Sequence, residues 1–518
     1  LAASRSVARP DAKIPEVFLK QIAMGASQKI GELRVSAQDQ LNFARLAGDY
    51  NPIHVDESTG RQSIFGNVVV HGINAVLSSI EMYLAASMGE ASAELPSLER
   101  IQVQFLKPIF VGERLEVIRI SDDRRRTRLS VRCEQADLAK ISLTWNQAAG
   151  RKSPALRLQD RVAPPRRDPV TRTMQDAEGL TGKLPLRADA GLLNAAYPRC
   201  VDWLGERALA GVALLSSVVG MEWPGEYSLF TNAKIDFRDL PGNAAADDLT
   251  FRVVPVDADY ALTRLAVQGP DFRCEIDAFF RPVPVKQPSI GELRSLVLAD
   301  EFKGCTAVVI GGSRGLGEIS AKLLALGGAE IILSYRSSAT GAANVRDDIV
   351  SAGARCNLVR FDVGGDVAAL AAFEASPARL LLLYFPSPHI FRRRTAGFSK
   401  AWLTEFLGVY VDGFVDVLNA AKRWTAGPFA VLYPSSEALD SPSGELIEYA
   451  AAKAAGEAVC RAAAADDPRL MVEIPRLPRL LTDQTNSIVQ VETLQAPDIL
   501  LPILRRMAAN TLRQDESR

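Results

Sequence analysis

Gly48-Asp49-Tyr50-Asn51-Pro52-Ile53-His54, answered by His71-Gly72, sets a carboxylate, an amide and an imidazole within seven residues, and His54 and His71 are two of only three histidines in the chain. The run before it, Ser36 to Ala47, reads as a helix. Ser36 suits the N-cap, Asp39 sits three residues on as its capping partner, and Leu41, Phe43, Ala44 and Leu46 give an apolar side. Gly48 ends that helix and turns the chain, because glycine accepts the left-handed conformation a helix terminus needs. Asp49 and His54 are therefore expected on the loop beyond a rigid element, a common place for chemistry.

Outward from this loop, His71 to Ala86 (HGINAVLSSIEMYLAA) reads as a long, mostly apolar helix. Leu98 to Leu106, Arg114 to Ile120, Thr127 to Glu134 and Ala139 to Trp145 read as strands, several with the alternation of half-buried antiparallel pairs. A buried helix wrapped by such a sheet is the α+β hot-dog arrangement. The motif GDYNPIH with VHG downstream resembles the MaoC-like hydratases, the (R)-specific enoyl-CoA hydratases of hot-dog fold. By that resemblance Asp49 and His54 would be the acid/base pair, Asn51 would help to orient a water, and the Gly72 N–H would bind the thioester oxygen. Adding water across a double bond conjugated to a thioester requires a base for the water, a proton for the α carbon and donors for the developing enolate oxygen. A polar loop with Asp49 as a turn cap and His54 at the surface is the plainer alternative, which a lone Asp or His would deserve; the complete motif argues against it.

A chain of 518 residues exceeds one core and suggests about three domains. A net charge of -1 gives no global field for nucleic acid or an anionic membrane. Six cysteines lie scattered without a CxxC, which fits reduced thiols better than a disulfide framework, and three dispersed histidines argue against a metal site. No apolar run reaches membrane-span length, and Leu1 to Asp11 has no apolar core of a signal peptide, so a cytoplasmic protein is expected.

The sequence divides into a tail (1–18), the hot-dog hydratase domain (19–147), a linker rich in Pro and charge (148–183), a second domain (184–285), a third (286–512) and a polar tail (513–518). The second domain reads as a degenerate copy of the first. Leu209 to Val218 can be laid on His71 to Ile80, and both runs lead to a strand ending in Phe, AKIDF and IQVQF. In that register His71-Gly72 becomes Leu209-Ala210, and GDxNPxH has no counterpart upstream, so the two halves would pack as a pair with one active site; this resembles the double hot-dog hydratases, and the resemblance implies that the degenerate half lends room for the acyl chain. An unrelated α+β domain sharing LLSS by chance stays open as the alternative.

The third domain alternates apolar strands with amphipathic helices, the pattern of a Rossmann-type α/β doubly wound parallel sheet. Strand Ala307 to Ile310 runs into Gly311-Gly312-Ser313-Arg314-Gly315-Leu316-Gly317 and a helix. Gly311 would make the turn, Gly315 would admit a pyrophosphate and Gly317 would let helix and sheet pack closely. The next strand ends in Ser334-Tyr335-Arg336-Ser337 without an acid for a ribose hydroxyl; Arg336, helped by Arg314 and Ser337, suits a 2′-phosphate, so NADPH (NADP) is favoured over NADH. Tyr449 and Lys453 stand four apart on one helix face, and a nearby ammonium would lower the phenol's pKa for proton exchange with a substrate oxygen that Ser436 could hold. Together these motifs resemble the short-chain dehydrogenase/reductases over nearly the whole domain. That resemblance implies that Asp362 and Val363, after the third strand, would lie at the adenine. It also implies a homodimer or higher assembly. The departures are Ile310 before the glycine loop, Phe385-Pro386-Ser387-Pro388 after the fourth strand, Tyr410 where a relay asparagine is usual, and Pro478-Arg479 after the sixth strand.

Both implied activities fit one substrate class, acyl thioesters on coenzyme A or an acyl-carrier protein. A reductase converts a 3-oxoacyl to a 3-hydroxyacyl thioester, and an (R)-specific hydratase interconverts that product with the trans-2-enoyl thioester. The pairing resembles the peroxisomal multifunctional enzymes of type 2, with the domains in opposite order. The alternatives are a hydratase whose reductase-like domain is a scaffold or acts on another carbonyl, and a non-catalytic acyl-carrier or assembly-binding protein.

Overall fold

The computed structural model describes residues 27–88, 97–123, 125–146, 157–237, 247–257, 261–371, 377–392, 397–441, 444–487 and 491–516. The tail at 1–18 lies outside them. The chain forms two compact units, Leu1–Val283 and Pro284–Arg518.

The first unit is built on one antiparallel sheet. Its strands are β1 (Gln28–Leu33), β2 (Ser97–Phe105), β3 (Leu115–Asp122), β4 (Arg126–Cys133), β5 (Ala136–Asn146), β6 (Thr181–Pro185), β7 (Ser228–Asp236), β8 (Asp248–Asp257), β9 (Leu262–Gln268) and β10 (Arg273–Phe280). They run in the order β1-β3-β4-β5-β2-β7-β10-β9-β8-β6. Counted from either edge, the two halves have the same internal order. They meet where β2 pairs with β7, Ile101 opposite Ile235 and Val103 opposite Ala233, so the strands that the sequence register aligned are the ones that join the halves. Each half lays one apolar helix on the sheet, Gly72–Met88 in the first and Glu206–Ser217 in the second, and both contribute to one continuous core.

The stretch read as a linker is part of this unit. Among its described residues Leu158 and Ala177 are buried in the core, and its end forms edge strand β6, paired with β8. Its polar, Pro-rich composition hid that packing because only a few apolar anchors hold it.

The second unit carries six parallel strands, β11 (Cys305–Ile310), β12 (Glu330–Tyr335), β13 (Cys356–Arg360), β14 (Arg379–Tyr384), β15 (Phe429–Leu432) and, beyond the two-residue β16 (Ser435–Ser436), β17 (Leu470–Glu473). Their order is β13-β12-β11-β14-β15-β17, a doubly wound sheet whose strand order reverses at β11. Residues Leu380–Leu383 are fully buried, as expected for strands covered on both faces. The last helix, Ala496–Glu516, runs through residues read as the start of a polar tail. Among the described residues no single helix is long and apolar enough to cross a membrane.

Candidate active sites

In the first unit the helix is Ala37–Ala47. Ser36 and Asp39 close a capping box, and Gly48 takes φ +68° at the C-cap. Its buried face differs from the expectation at one position. Leu41 is exposed, and Gln40, 1% exposed, faces inward instead. Gln40 is committed by hydrogen bonding: Nε2 donates to the His54 and Val69 carbonyls at 3.2 and 3.0 Å, and Oε1 accepts from the His71 backbone N–H at 3.3 Å. A polar residue so buried keeps its place only if paired, and Gln40 ties the helix to both histidine segments.

Asp49 follows on the loop, and Pro52–Val55 makes one helical turn that presents His54. His54 Nδ1 lies 2.8 Å from the Val69 carbonyl, which can only accept, so Nδ1 carries the proton and Nε2 is left as a base. The His71 ring lies 4.1 Å from the His54 ring, centroid to centroid, with Nε2 3.0 Å from the Asp49 carbonyl and 3.9 Å from its carboxylate. Burial pushes the Asp49 carboxyl above the usual carboxylate range, opposed by His54 and by hydrogen bonds from Ser216 and Asn51. Burial also lowers His54, against the pull of Asp49, and holds His71 well below its ordinary value. Burial thus favours the neutral form of each group, and the mutual attraction of Asp49 and His54 opposes it in both.

The three histidines are dispersed in sequence. The fold gathers Asp49, His54 and His71 so that one ligand-type atom of each lies within 4.8 Å of the others. Both ring nitrogens of His71 already face protein oxygens, the Asp49 carbonyl and Gln40 Oε1.

Asn51 does not have the role expected for it. Its amide nitrogen donates to the carbonyls of Gly220, Gly225 and Glu226 at 2.8, 3.1 and 3.1 Å, and its oxygen accepts from Ile53 N–H. No amide hydrogen remains to orient a water; Asn51 clamps the loop that carries Asp49 and His54 to the second half. Asn51→Ala should therefore lower the unfolding free energy of this unit by on the order of 3 kcal/mol, measured by urea denaturation. Loss of hydration at unchanged stability would return Asn51 to the water-orienting role.

Gly72 opens its helix, where the first N–H groups have no intrahelical acceptor. A β carbon there would lie 2.7 Å from the Phe105 ring, so any larger residue would have to displace that ring or move the helix terminus from β2. The sequence reading missed the contributions of the second half. Ser216 donates to Asp49 Oδ2 at 2.6 Å, and a β carbon on Gly220 would lie 2.5 Å from Asp49 Oδ1. Arg281, 4% exposed, donates to the same Glu226 carbonyl that holds Asn51, and its charge disfavours protonation of His54. The supposed linker also reaches the loop: Arg166 lies over the Tyr50 ring at 5.4 Å.

In the second unit the expected cofactor residues gather at the carboxyl ends of the parallel strands. Gly311 has φ +79° and donates its N–H to Ser334 Oγ at 3.1 Å; Gly315 has φ +60°. A β carbon on Gly317 would lie 2.4 Å from the Gly311 carbonyl, so helix and loop need that glycine, while Leu316 packs on the core and Ser313 lines the loop. Arg336 and Ser337 are exposed just past β12, and Asp362 is exposed past β13 with Val363 partly buried beside it. These features fit a dinucleotide: a glycine-rich turn at a helix N-terminus and a cation past the next strand. Arg314 differs from the expectation, because its guanidinium lies 3.6 Å from Asp483 and is shared with that acid.

Tyr449 is 9% exposed, hydrogen-bonded by Ser436 and packed edge-on against Phe406 and Tyr410. Its phenol is raised by burial, opposite to the lowering expected from Lys453. The lysine explains the difference. Its Nζ donates to the Pro434 carbonyl at 2.7 Å and sits 4.0 Å from the centre of the Tyr410 ring, and burial draws it down to about 7. Tyr410 stands in a π-helical turn, Gly408–Asp412, and donates to or accepts from Ser387 at 2.6 Å. The Tyr384 and Tyr433 hydroxyls bond the Val409 and Tyr410 carbonyls in this turn.

The family model described as MaoC like domain matches residues 20–140. A 3-hydroxybutyryl-CoA dehydratase of Methylorubrum extorquens is 26% identical over 135 residues, 24% of this chain and 80% of that protein. An uncharacterized oxidoreductase of the same organism is 40% identical over 76 residues, 15% of this chain; the chain spans only 31% of that relative's length. Among solved structures, a short chain dehydrogenase from Burkholderia cenocepacia in complex with NADP is 25% identical with a TM-score of 0.35, covering 39% of this chain and 90% of that one. Residues 20–140 thus match the MaoC like domain family, within the first unit of the chain.

Proposed function

We propose that the chain is a bifunctional enzyme of acyl-thioester metabolism, an (R)-3-hydroxyacyl-thioester dehydratase/enoyl hydratase joined to an NADPH-dependent 3-oxoacyl-thioester reductase. The first unit is then a double hot-dog with one active site. The observation that carries the reading is the His54 tautomer: Nδ1–H is spent on the Val69 carbonyl, and the free Nε2 stands in one buried cluster with Asp49. In hydration the pair starts without a proton to give. It takes one from water as the oxygen bonds carbon 3, and returns one to carbon 2 as the enolate collapses. One O–H bond breaks, one C–O and one C–H bond form, and the electrons of the carbon–carbon double bond are consumed. The Gly72 N–H, at a helix N-terminus, suits the thioester oxygen on which charge develops.

For the second unit, the glycine turn would hold a dinucleotide diphosphate and Arg336 its 2′-phosphate, since no carboxylate follows β12. A nicotinamide cofactor supplies a hydride when bound. Tyr449 would give the proton to the substrate oxygen, with Ser436 orienting it. A second reading, hydration alone with a reductase-like unit that is inert or acts on another carbonyl, is favoured by one observation: Lys453 is enclosed by the Tyr410 ring and the Pro434 carbonyl. The test combines purified protein, a short 3-oxoacyl-CoA and NADPH, following NADPH absorbance and acyl mass. Consumption of NADPH with hydroxyacyl and enoyl products is expected. Hydration of crotonyl-CoA without NADPH consumption would select the second reading.

A further inference from the structure

We propose that Ser216 is a positioning residue of the hydration site: from the second half of the sheet unit, its hydroxyl donates to Asp49 Oδ2 at 2.6 Å and keeps that carboxylate charged and aimed beside His54. The inference rests on the hydratase reading above.

The second half holds Leu209-Ala210 where the first holds His71-Gly72, and it has no acid/base pair at that position. Yet the end of its apolar helix is shaped around the pair in the other half. The helix Glu206–Ser217 passes into a π-helical turn, Val218–Glu222. Such turns cost regular hydrogen bonding and recur at functional sites. Here the segment provides three things within five residues: the Ser216 hydroxyl for Asp49, the Gly220 carbonyl for Asn51, and at Gly220 a missing β carbon whose place the Asp49 carboxylate fills. Ser217, next in sequence and as deeply buried, reaches only the Gly48 carbonyl, at 3.3 Å.

The other groups facing the pair do not replace this donor. Asp49 Oδ1 accepts from the Asn51 N–H at 3.1 Å. His71 is neutral and 3.9 Å from Oδ2. Arg167 attracts Asp49 at longer range and is paired with Glu222 at 2.5 Å; Arg281 faces His54 and is tied to the Glu226 carbonyl. Ser216 is the side-chain hydroxyl in direct contact with the carboxylate. A hydrogen bond to the charged form of an acid favours that form. Burial already drives Asp49 toward its protonated form, so removing the donor moves it further the same way.

Hydration needs Asp49 ionised, and activity is therefore lost as the pH falls through its pKa. The test is the pH profile of kcat/KM for crotonyl-CoA hydration by the full chain. Ser216→Ala is expected to move the acid limb up by about one pH unit. Ser216→Thr, which keeps the hydroxyl, should leave it near the wild-type position, as should Ser217→Ala. Ser216→Cys, with a weaker donor of similar volume, gives the same upward shift should Ser216→Ala fail to fold. A wild-type limb in the Ser216→Ala or Ser216→Cys protein overturns the proposal, as does an equal shift in Ser217→Ala. Absence of hydration in the wild-type protein would instead remove the hydratase reading and this inference with it.

Discussion

Asp49→Asn lowers hydration of a 2-enoyl thioester by about a thousandfold, the range expected when a general base is removed, and leaves NADPH binding to the second unit unchanged. Asparagine keeps the shape of the side chain and can still accept from the Asn51 N–H, but it cannot take a proton from water. The variant also separates chemistry from folding. The folded pKa of Asp49 is raised above its ordinary value, chiefly by burial. A carboxylate with a raised folded pKa opposes folding at any pH where it is ionised, an effect that grows as the pH rises through its unfolded and then its folded pKa. Replacing it with a neutral amide should therefore not lower the melting temperature at neutral pH. A collapse of stability together with activity would assign Asp49 a packing role, and retained hydration would remove it from the acid/base pair. In the wild-type protein hydration is expected to fall on acidification at a pH above the ordinary aspartate value, because burial raises the pKa of this carboxyl.

The loop that carries this chemistry was legible because its signals are local. A capping box, a C-cap glycine and an Asp–Asn–Pro–His spacing are written within twenty residues, and the folded loop follows them. What surrounds the loop was not legible. Ser216, Gly220 and Arg281 lie more than 160 residues away in sequence, and nothing in LLSS distinguishes a serine that holds a carboxylate from one that fills a core. Asn51 was misread for the same reason. The motif announces an amide, but only the second half supplies the carbonyls that consume its hydrogens. Gln40 took the inward position that apolar periodicity gave to Leu41, since a buried polar side chain with partners on three segments leaves no trace in a hydropathy pattern.

In the second unit the strand–glycine–helix sequence gave the turn, because positive φ at Gly311 and Gly315 and contact at Gly317 are requirements of backbone geometry alone. Electrostatics depended on tertiary neighbours and went the other way. The Tyr449–Lys453 spacing implied an ammonium lowering a phenol, whereas Lys453 is turned onto Tyr410, the residue that departs from the family pattern. Asp483, thirty residues beyond Lys453, pairs with Arg314 of the glycine loop, a contact no spacing rule predicts.

Tyr449→Phe is expected to reduce NADPH-dependent reduction of a 3-oxoacyl thioester by about a thousandfold and to leave crotonyl-CoA hydration at the wild-type rate. The substitution removes one hydroxyl and keeps the ring that packs edge-on against Phe406 and Tyr410, so the helix Ile447–Asp466 has no reason to move. Burial holds the phenol protonated at neutral pH, with Ser436 pulling the other way. That is the form able to hand a proton to a carbonyl oxygen as it becomes an alcohol. Lys453, drawn down to about 7, loses its charge as the pH rises through that value, so whatever its ammonium contributes to this site is present on the acid side and fades toward alkaline pH. Reduction measured from pH 6 to 9 should accordingly decline on the alkaline side in the wild-type protein. Reduction retained in Tyr449→Phe would show that another group donates the proton, with Ser387 and Tyr410, joined at 2.6 Å, the next to be replaced. Equal loss of reduction and hydration would point to misfolding or to misassigned units. Loss of reduction alone places the second chemistry on this helix.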